Sequence, residues 1–191
     1  LVTLCPNGRW LGNYLDAPGA YAQYLAVRAD LVQKLPDGIS DNEAAMIEPL
    51  AVGHHIVSRA ELSPGAAVLI MGGGPIGAAV ALFARSQGAG HVVVSEPAAP
   101  RRERCLMLGA TATIDPHADD VAARFSAIAG GAPDVVFECV GLPGMLREAV
   151  KLGGVRSRVI VAGVVFEEDQ LLPLDAIGRE STIIYSSGYT E

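Results

Sequence analysis

The stretch AAVLIMGGGPIGAAVALFARSQGA, residues 66–89, decides the fold. Val68–Met71 is an apolar run of the length a buried strand needs. Gly72, Gly74 and Gly77 follow in G-x-G-x-x-G spacing, and Pro75–Gln87 continues with helical spacing. Strand, glycine turn and helix in that order suit a dinucleotide diphosphate. The first glycine makes the tight turn, the second lets backbone approach the pyrophosphate, and the third lets helix and strand pack closely. Free N–H groups and the positive end of the helix dipole then face the phosphates. Pro75 sits near the helix start, where its missing N–H costs little.

The next segment supplies context that a lone glycine motif lacks. His91–Ser95 is a second β-branched run, and it ends at Glu96, nineteen positions beyond Gly77. A carboxylate there accepts two hydrogen bonds from an adenosine ribose diol, each worth about 1.5–3 kcal/mol because the acceptor is charged. It also repels a 2′-phosphate, so the pattern favours NAD over NADP. Arg101 and Arg102 pull the other way, since arginines at this place hold a 2′-phosphate. Arg101 has two further options: covering the adenine face or pairing with Glu96.

Composition narrows the classes. Half of the 191 residues are apolar and only 5% are aromatic, with glycine and alanine plentiful, as in helices packed tightly on an aliphatic sheet. The net charge of −7 argues against a nucleic-acid partner. No apolar run reaches the roughly twenty residues of a membrane span, and no signal peptide opens the chain. Three widely spaced cysteines, Cys5, Cys105 and Cys139, do not make a disulfide framework, and a reducing cytoplasm is the simplest setting. The chain opens with Leu inside what reads as a loop and stops just after a strand, so it is expected to be an internal piece of a longer protein.

Along the chain, residues 1–18 read as loop and Ala20–Val27 as a strand. Ser40 or Asp41 caps a helix running to about Ala60, with Glu43 in its first turn and a kink at Pro49. Then strands 66–71, 91–95, 111–114, 134–139, 158–162 and 182–186 alternate with helices 75–87, 100–108, 118–129, 143–151 and 173–179. Continuously apolar strands separated by helices predict an α/β, doubly wound parallel sheet covered on both faces, with a ligand crevice at the switch point of two βαβαβ halves.

These residues, taken in order, resemble the zinc-containing medium-chain dehydrogenases, in their sorbitol, butanediol and threonine dehydrogenase branch. Leu4-Cys5-Pro6 resembles the end of the structural-zinc lobe, Gly19–Tyr24 the G-x-F/Y-A-E/Q-Y strand, and Glu48-Pro49-Leu50 with Gly53-His54 the E-P-L region. MGGGPIG resembles the G-x-G-P-I-G loop, and Gly109–Thr111 with Ile114–Pro116 the G-A-x-x-x-I-x-P segment. Phe137–Gly141 resembles the F-E-C-x-G strand end that lies beside the cofactor. The resemblance implies a Rossmann domain at 46–191 and a short remnant of a β-rich, GroES-like catalytic domain at 1–45. It implies hydride transfer between a secondary alcohol and NAD, with zinc polarising the alcohol oxygen.

The family's main zinc ligands lie upstream of anything here. Glu48 is the one catalytic-zone residue retained, approaching zinc directly or through water, or else a solvated helix carboxylate paired with Arg59. Cys5 alone represents the four-cysteine structural site. The cofactor is expected to touch Gly72, Gly74, Pro75, Ile76, Gly77, Glu96, Arg101, Cys139, Val140 and Gly163. Gly163 reads equally well as a turn glycine. His54 and His55 point about 100° apart on a helix and do not share a metal. The final strand, STIIYSS, lies at the sheet edge and is expected to join subunits into a homodimer or homotetramer. Two alternatives remain: a non-catalytic dinucleotide-binding module, and a zinc-free quinone or enoyl reductase relative that uses NADPH.

Overall fold

The computed structural model describes residues 7–8, 11–14, 16–17 and 19–189. They form two compact units, the described residues up to Ile47 and Glu48–Tyr189.

In the first unit, Ser40 caps the short helix α1, Asp41–Ala45. The Ser40 side chain accepts from the Glu43 amide while the Glu43 carboxylate accepts from the Ser40 amide at 2.9 Å, a reciprocal capping box. This contact holds the Glu43 carboxyl below its usual range. The expected strand at Ala20–Val27 does not form. Among the described residues it has no neighbouring strand to complete a ladder, and Tyr21 and Tyr24 stand exposed. Among the described residues of this unit, β pairing is an isolated bridge between Tyr14 and Ala17. Leu4-Cys5-Pro6 lies outside the described residues.

The single kinked helix is also corrected, because two helices meet at Met46. Helix α2 spans Ile47–Ala60. The Pro49 ring would collide with the carbonyl four residues earlier, that of Ala45. So α1 closes there, and Pro49 falls in the first turn of α2, where no N–H is needed.

The second unit is the predicted layered sheet. Its elements are β1 (Ala67–Met71), α3 (Pro75–Ser86), β2 (His91–Ser95), α4 (Ala99–Met107), β3 (Ala112–Ile114), α5 (Val121–Ala129), β4 (Val135–Glu138), α6 (Met145–Leu152), β5 (Arg158–Val161), α7 (Pro173–Ile177) and β6 (Thr182–Tyr185). All pairings are parallel, in the order β3-β2-β1-β4-β5-β6. Side chains of a strand alternate between faces, so a strand covered on both sides is apolar at every position. Along β1, Val68 and Ile70 join a core with Ile56, Val57, Val80 and Ala84 of α2 and α3. Leu69 and Met71 join the opposite core with Phe125, Ala149 and Val150 of α5 and α6. Each fully buried aliphatic side chain contributes about 1.5–3 kcal/mol. Gly53 permits the close approach of α2 to α3, because a methyl there would sit 2.5 Å from the Ala79 methyl.

Helix α5 begins later than residue 118. Asp115 first turns the chain by accepting at its carbonyl from the amides of Ala118 and Asp119, and the Asp120 side chain then caps Ala123 N–H at 2.9 Å. No helix among the described residues is long and apolar enough to cross a membrane.

Candidate functional site

Register places the site. Met71 of β1 is level with Ser95 of β2 and Glu138 of β4. The next residues of the three strands, Gly72, Glu96 and Cys139, therefore emerge side by side. Ladder bonds carry on past the strand ends: the Gly72 amide donates to Ser95 O at 2.8 Å, and the Cys139 amide to Met71 O at 3.0 Å. Strand β1 connects through α3 to β2 on one side, while β4 lies on the other, so the chain reverses direction across the sheet here. In an open parallel sheet this is where a crevice opens. A cleft of about 510 Å³ lies there, bordered by Gly72, Gly74, Glu96, Arg101, Cys139 and Val140 among others.

The glycine loop is built as three separate requirements. Gly72 has φ +92°, a left-handed turn that lets the backbone leave β1. A side chain on Gly77 would run into the Gly72 carbonyl oxygen, so this glycine closes the helix onto the turn. Gly74 is different. It caps α3 in ordinary extended geometry, φ −69°, and a methyl there would meet nothing within 4 Å. The protein itself thus has no steric need for glycine at 74. No side chain caps α3, and the amides of Ile76 and Gly77 have no acceptor within the helix. Small-residue space, orphan donors and the positive helix end together make a cradle for an anion.

Beside this cradle, Glu96 is 3% exposed. Its carboxylate accepts from the Gly73 amide at 2.8 Å and from the Ala98 amide at 2.9 Å. Arg101 takes the pairing option: its Nη1 lies 3.8 Å from Glu96 Oε2, with the side chain half exposed at the cleft. Arg102 does not border the cleft. It pairs with Asp115 at 3.0 Å and donates to the carbonyls of Glu96 and Pro97.

On the β4 side, Cys139 and Val140 border the cleft. Burial, helped by the neighbouring Glu138 carboxylate, pushes the Cys139 thiol above its usual range, which favours its protonated form. Gly163, Pro75, Ile76 and Gly77 are not among the wall residues. At Gly163 a side chain would strike the Gly141 amide and the Glu138 carboxylate, so close packing alone requires a glycine there.

Walls that sequence reasoning missed include Pro97, Pro116, His117, Leu142, Met145 and Glu148. They sit on loops and helix starts after β2, β3 and β4. The strand-end rule for parallel sheets was the available signal, but which loop residues turn inward depends on local turns that spacing does not show.

Glu48 stands exposed in the first turn of α2. Among the described residues no three histidine, cysteine or acidic side chains gather closely enough to hold a metal ion. Zinc therefore does not fit the described residues, which supply Glu48 as at most one of four ligands. Cys5 lies outside them. His54 packs edge-on against Phe83 with ring centroids 5.2 Å apart, a packing role.

Comparison with known proteins gives a consistent picture. The sequence profile of a family described as zinc-binding dehydrogenase matches residues 75–191. The chain is 38% identical over 166 residues to 2-dehydro-3-deoxy-L-galactonate 5-dehydrogenase of Pseudoalteromonas atlantica, covering 86% of this chain and 47% of that protein. It is 35% identical over 186 residues to sorbitol dehydrogenase of Bacillus subtilis, covering 95% of this chain and 52% of that one. Among solved structures, one described as a zinc-binding dehydrogenase from Sinorhizobium meliloti 1021, bound to NADP, superposes with a TM-score of 0.88 at 31% identity. That match covers 98% of this chain and 56% of the other. The chain spans about half the length of the curated relatives it matches.

Proposed function

This chain belongs to the zinc-binding dehydrogenase family, and on that premise we propose that it is the NAD-binding portion of an alcohol or polyol dehydrogenase. The reaction is hydride transfer between the carbinol carbon of a secondary alcohol and the nicotinamide ring of NAD. When bound, the dinucleotide supplies the hydride acceptor. The chain's own residues bind it and orient it.

One observation carries the reading: an uncapped helix start with vacant space at Gly74 lies on the same cleft edge as the buried Glu96. The diphosphate takes the orphan amides of Ile76 and Gly77, with Gly72 and Gly74 letting backbone come close. The ribose diol donates to Glu96. Each oxygen of that carboxylate keeps acceptor capacity beyond its single backbone donor. Arg101 borders the adenosine, and Cys139 and Val140 the nicotinamide side.

Preference for NAD rests on the acid at Glu96 and on Arg102 being spent inside the protein. A second reading, acceptance of NADP, has its own support in the half-exposed Arg101, 3.8 Å from Glu96, and in the NADP bound by the Sinorhizobium relative. Titration calorimetry with both nucleotides separates them. The proposal expects NAD to bind at least tenfold more tightly than NADP. Tighter NADP binding overturns the preference, and no heat with either overturns the cofactor reading.

Glu48 is proposed to stand near the catalytic zinc of the complete enzyme. Glu48→Gln, compared with the unsubstituted enzyme for zinc content and turnover, tests this, and no change in either removes the role. Strand β6 pairs only with β5 and leaves an edge for another subunit among the described residues, which supports a homodimer or homotetramer. Light scattering that shows a monomer at high concentration contradicts it. The free thiols of Cys105 and Cys139 suit a reducing cytoplasm.

A further inference from the structure

The two adjacent arginines after β2 are not equivalent. Arg101 reaches the cleft, whereas Arg102 turns away from it and binds two loops together. Its Nη1 lies 2.8 Å from the Glu96 carbonyl oxygen, 2.6 Å from that of Pro97 and 3.0 Å from Asp115 Oδ2. The partner acid carries a second load, since Asp115 Oδ1 accepts from the His117 amide at 3.0 Å. A chain of bonds thus runs from the end of β2, through one guanidinium, to the turn after β3. The residues it joins, Glu96 and Pro97 on one side and Pro116 and His117 on the other, are walls of the cleft. Both side chains are mostly covered, at 20% exposure for Arg102 and 28% for Asp115, so solvent screening of the pair is reduced.

We infer that Arg102 is a positioning residue that clamps the β2 and β3 loops into one adenosine-binding wall and is no ligand for a 2′-phosphate. The inference rests on the cofactor reading above. Sequence alone treats Arg101 and Arg102 alike as phosphate partners. The geometry divides them: one guanidinium faces the ligand, and the other holds the acid-bearing loop where the ligand needs it. The three acceptors converge on one guanidinium nitrogen, Nη1, so a lysine ammonium at this position would meet part of the same set.

The test compares Arg102→Met, Asp115→Asn and the double variant with the unsubstituted chain, titrated with NAD, NADP and ADP-ribose. A clamp predicts that Arg102→Met weakens all three by a similar factor, about five- to twentyfold, with the NAD-to-NADP ratio changed by less than threefold. Asp115→Asn should weaken them in the same direction, and the double variant should be no weaker than the worse single one, because both substitutions break one chain of bonds. Arg102→Lys should recover part of the loss. Amide hydrogen exchange should quicken at residues 96–98 and 116–119 in the Arg102 variant. Selective loss of NADP affinity would make Arg102 a phosphate ligand and overturn the inference, as would unchanged affinity in a folded variant. Should Arg102→Met fail to fold, Asp115→Asn decides alone, and wild-type affinity there refutes the clamp. Absence of binding by the unsubstituted chain overturns the cofactor reading and this inference with it.

Discussion

Glu96 directly follows β2 and Glu138 ends β4, the two strands that flank β1; both are buried and both accept two backbone N–H bonds, yet they do different work. Glu96 takes its donors from separated places: the Gly73 amide in the glycine loop and the Ala98 amide two residues on. Its carboxylate thereby spans two segments and still borders the cleft. Glu138 takes both donors, Val140 N–H at 2.7 Å and Gly141 N–H at 2.9 Å, on one oxygen from its own loop. The other oxygen lies against Gly163. It is not a cleft wall. An acid at a strand end is thus a ligand candidate only when open space remains beside it. Otherwise it is an internal cap for the loop that follows.

The comparison breaks most visibly in stability. Glu138→Ala leaves the part-buried Val140 and Gly141 amides without an acceptor and a void where a fully buried side chain stood, and each unsatisfied group costs about 1–3 kcal/mol. Denaturant titration should therefore show a loss of about 3 kcal/mol or more, and Gly163→Ala should be destabilising in the same region by about 1–3 kcal/mol through overpacking. Glu96→Ala should lose less stability, about 1–2 kcal/mol, because Glu96 borders the open cleft, where water can take the place of its carboxylate. Its larger effect should fall on NAD affinity, which calorimetry should find reduced by at least tenfold. Equal stability losses with unchanged affinity for Glu96→Ala would erase the distinction between the two acids.

The smallest effect sharpens it. Burial first, and the Glu138 charge second, raise the Cys139 thiol above its usual range, which favours the protonated form in the folded chain. Iodoacetamide labelling at Cys139, followed by mass spectrometry, should stay slow from pH 7 to about 9. Glu138→Gln should speed it only slightly, because desolvation dominates. A large acceleration would mean that the carboxylate, and not burial, controls the thiol.

The sheet was legible in the sequence because burial on both faces demands apolar residues along the strand centres, as along Val68–Met71 and Val92–Val94. The glycine loop was legible because its spacing encodes a left-handed turn at Gly72 and a close approach at Gly77. Segment Ala20–Val27 misled because alternation alone supplies no partner strand. The helix break at Met46 follows from a clash of Pro49 with the previous turn, which displaces the boundary upstream of the proline itself. The loop-bracing parts played by Glu138 and Arg102, and the Pro116–His117 wall, were not legible. Their roles arise from bonds between loops that only strand register brings together. Gly163 could not be assigned from sequence because its neighbours, Gly141 and Glu138, come from another strand end.

Gly74→Ala tests most directly whether a diphosphate lies over the glycine loop. The free protein has room for the methyl and an ordinary backbone angle there, so the stability change should stay within about 1 kcal/mol, the scale of helix-cap substitutions. The methyl would nevertheless stand where the diphosphate approaches, and calorimetry should find NAD binding weakened at least tenfold. A folded Gly74→Ala chain that binds NAD as tightly as the unsubstituted one would contradict the account.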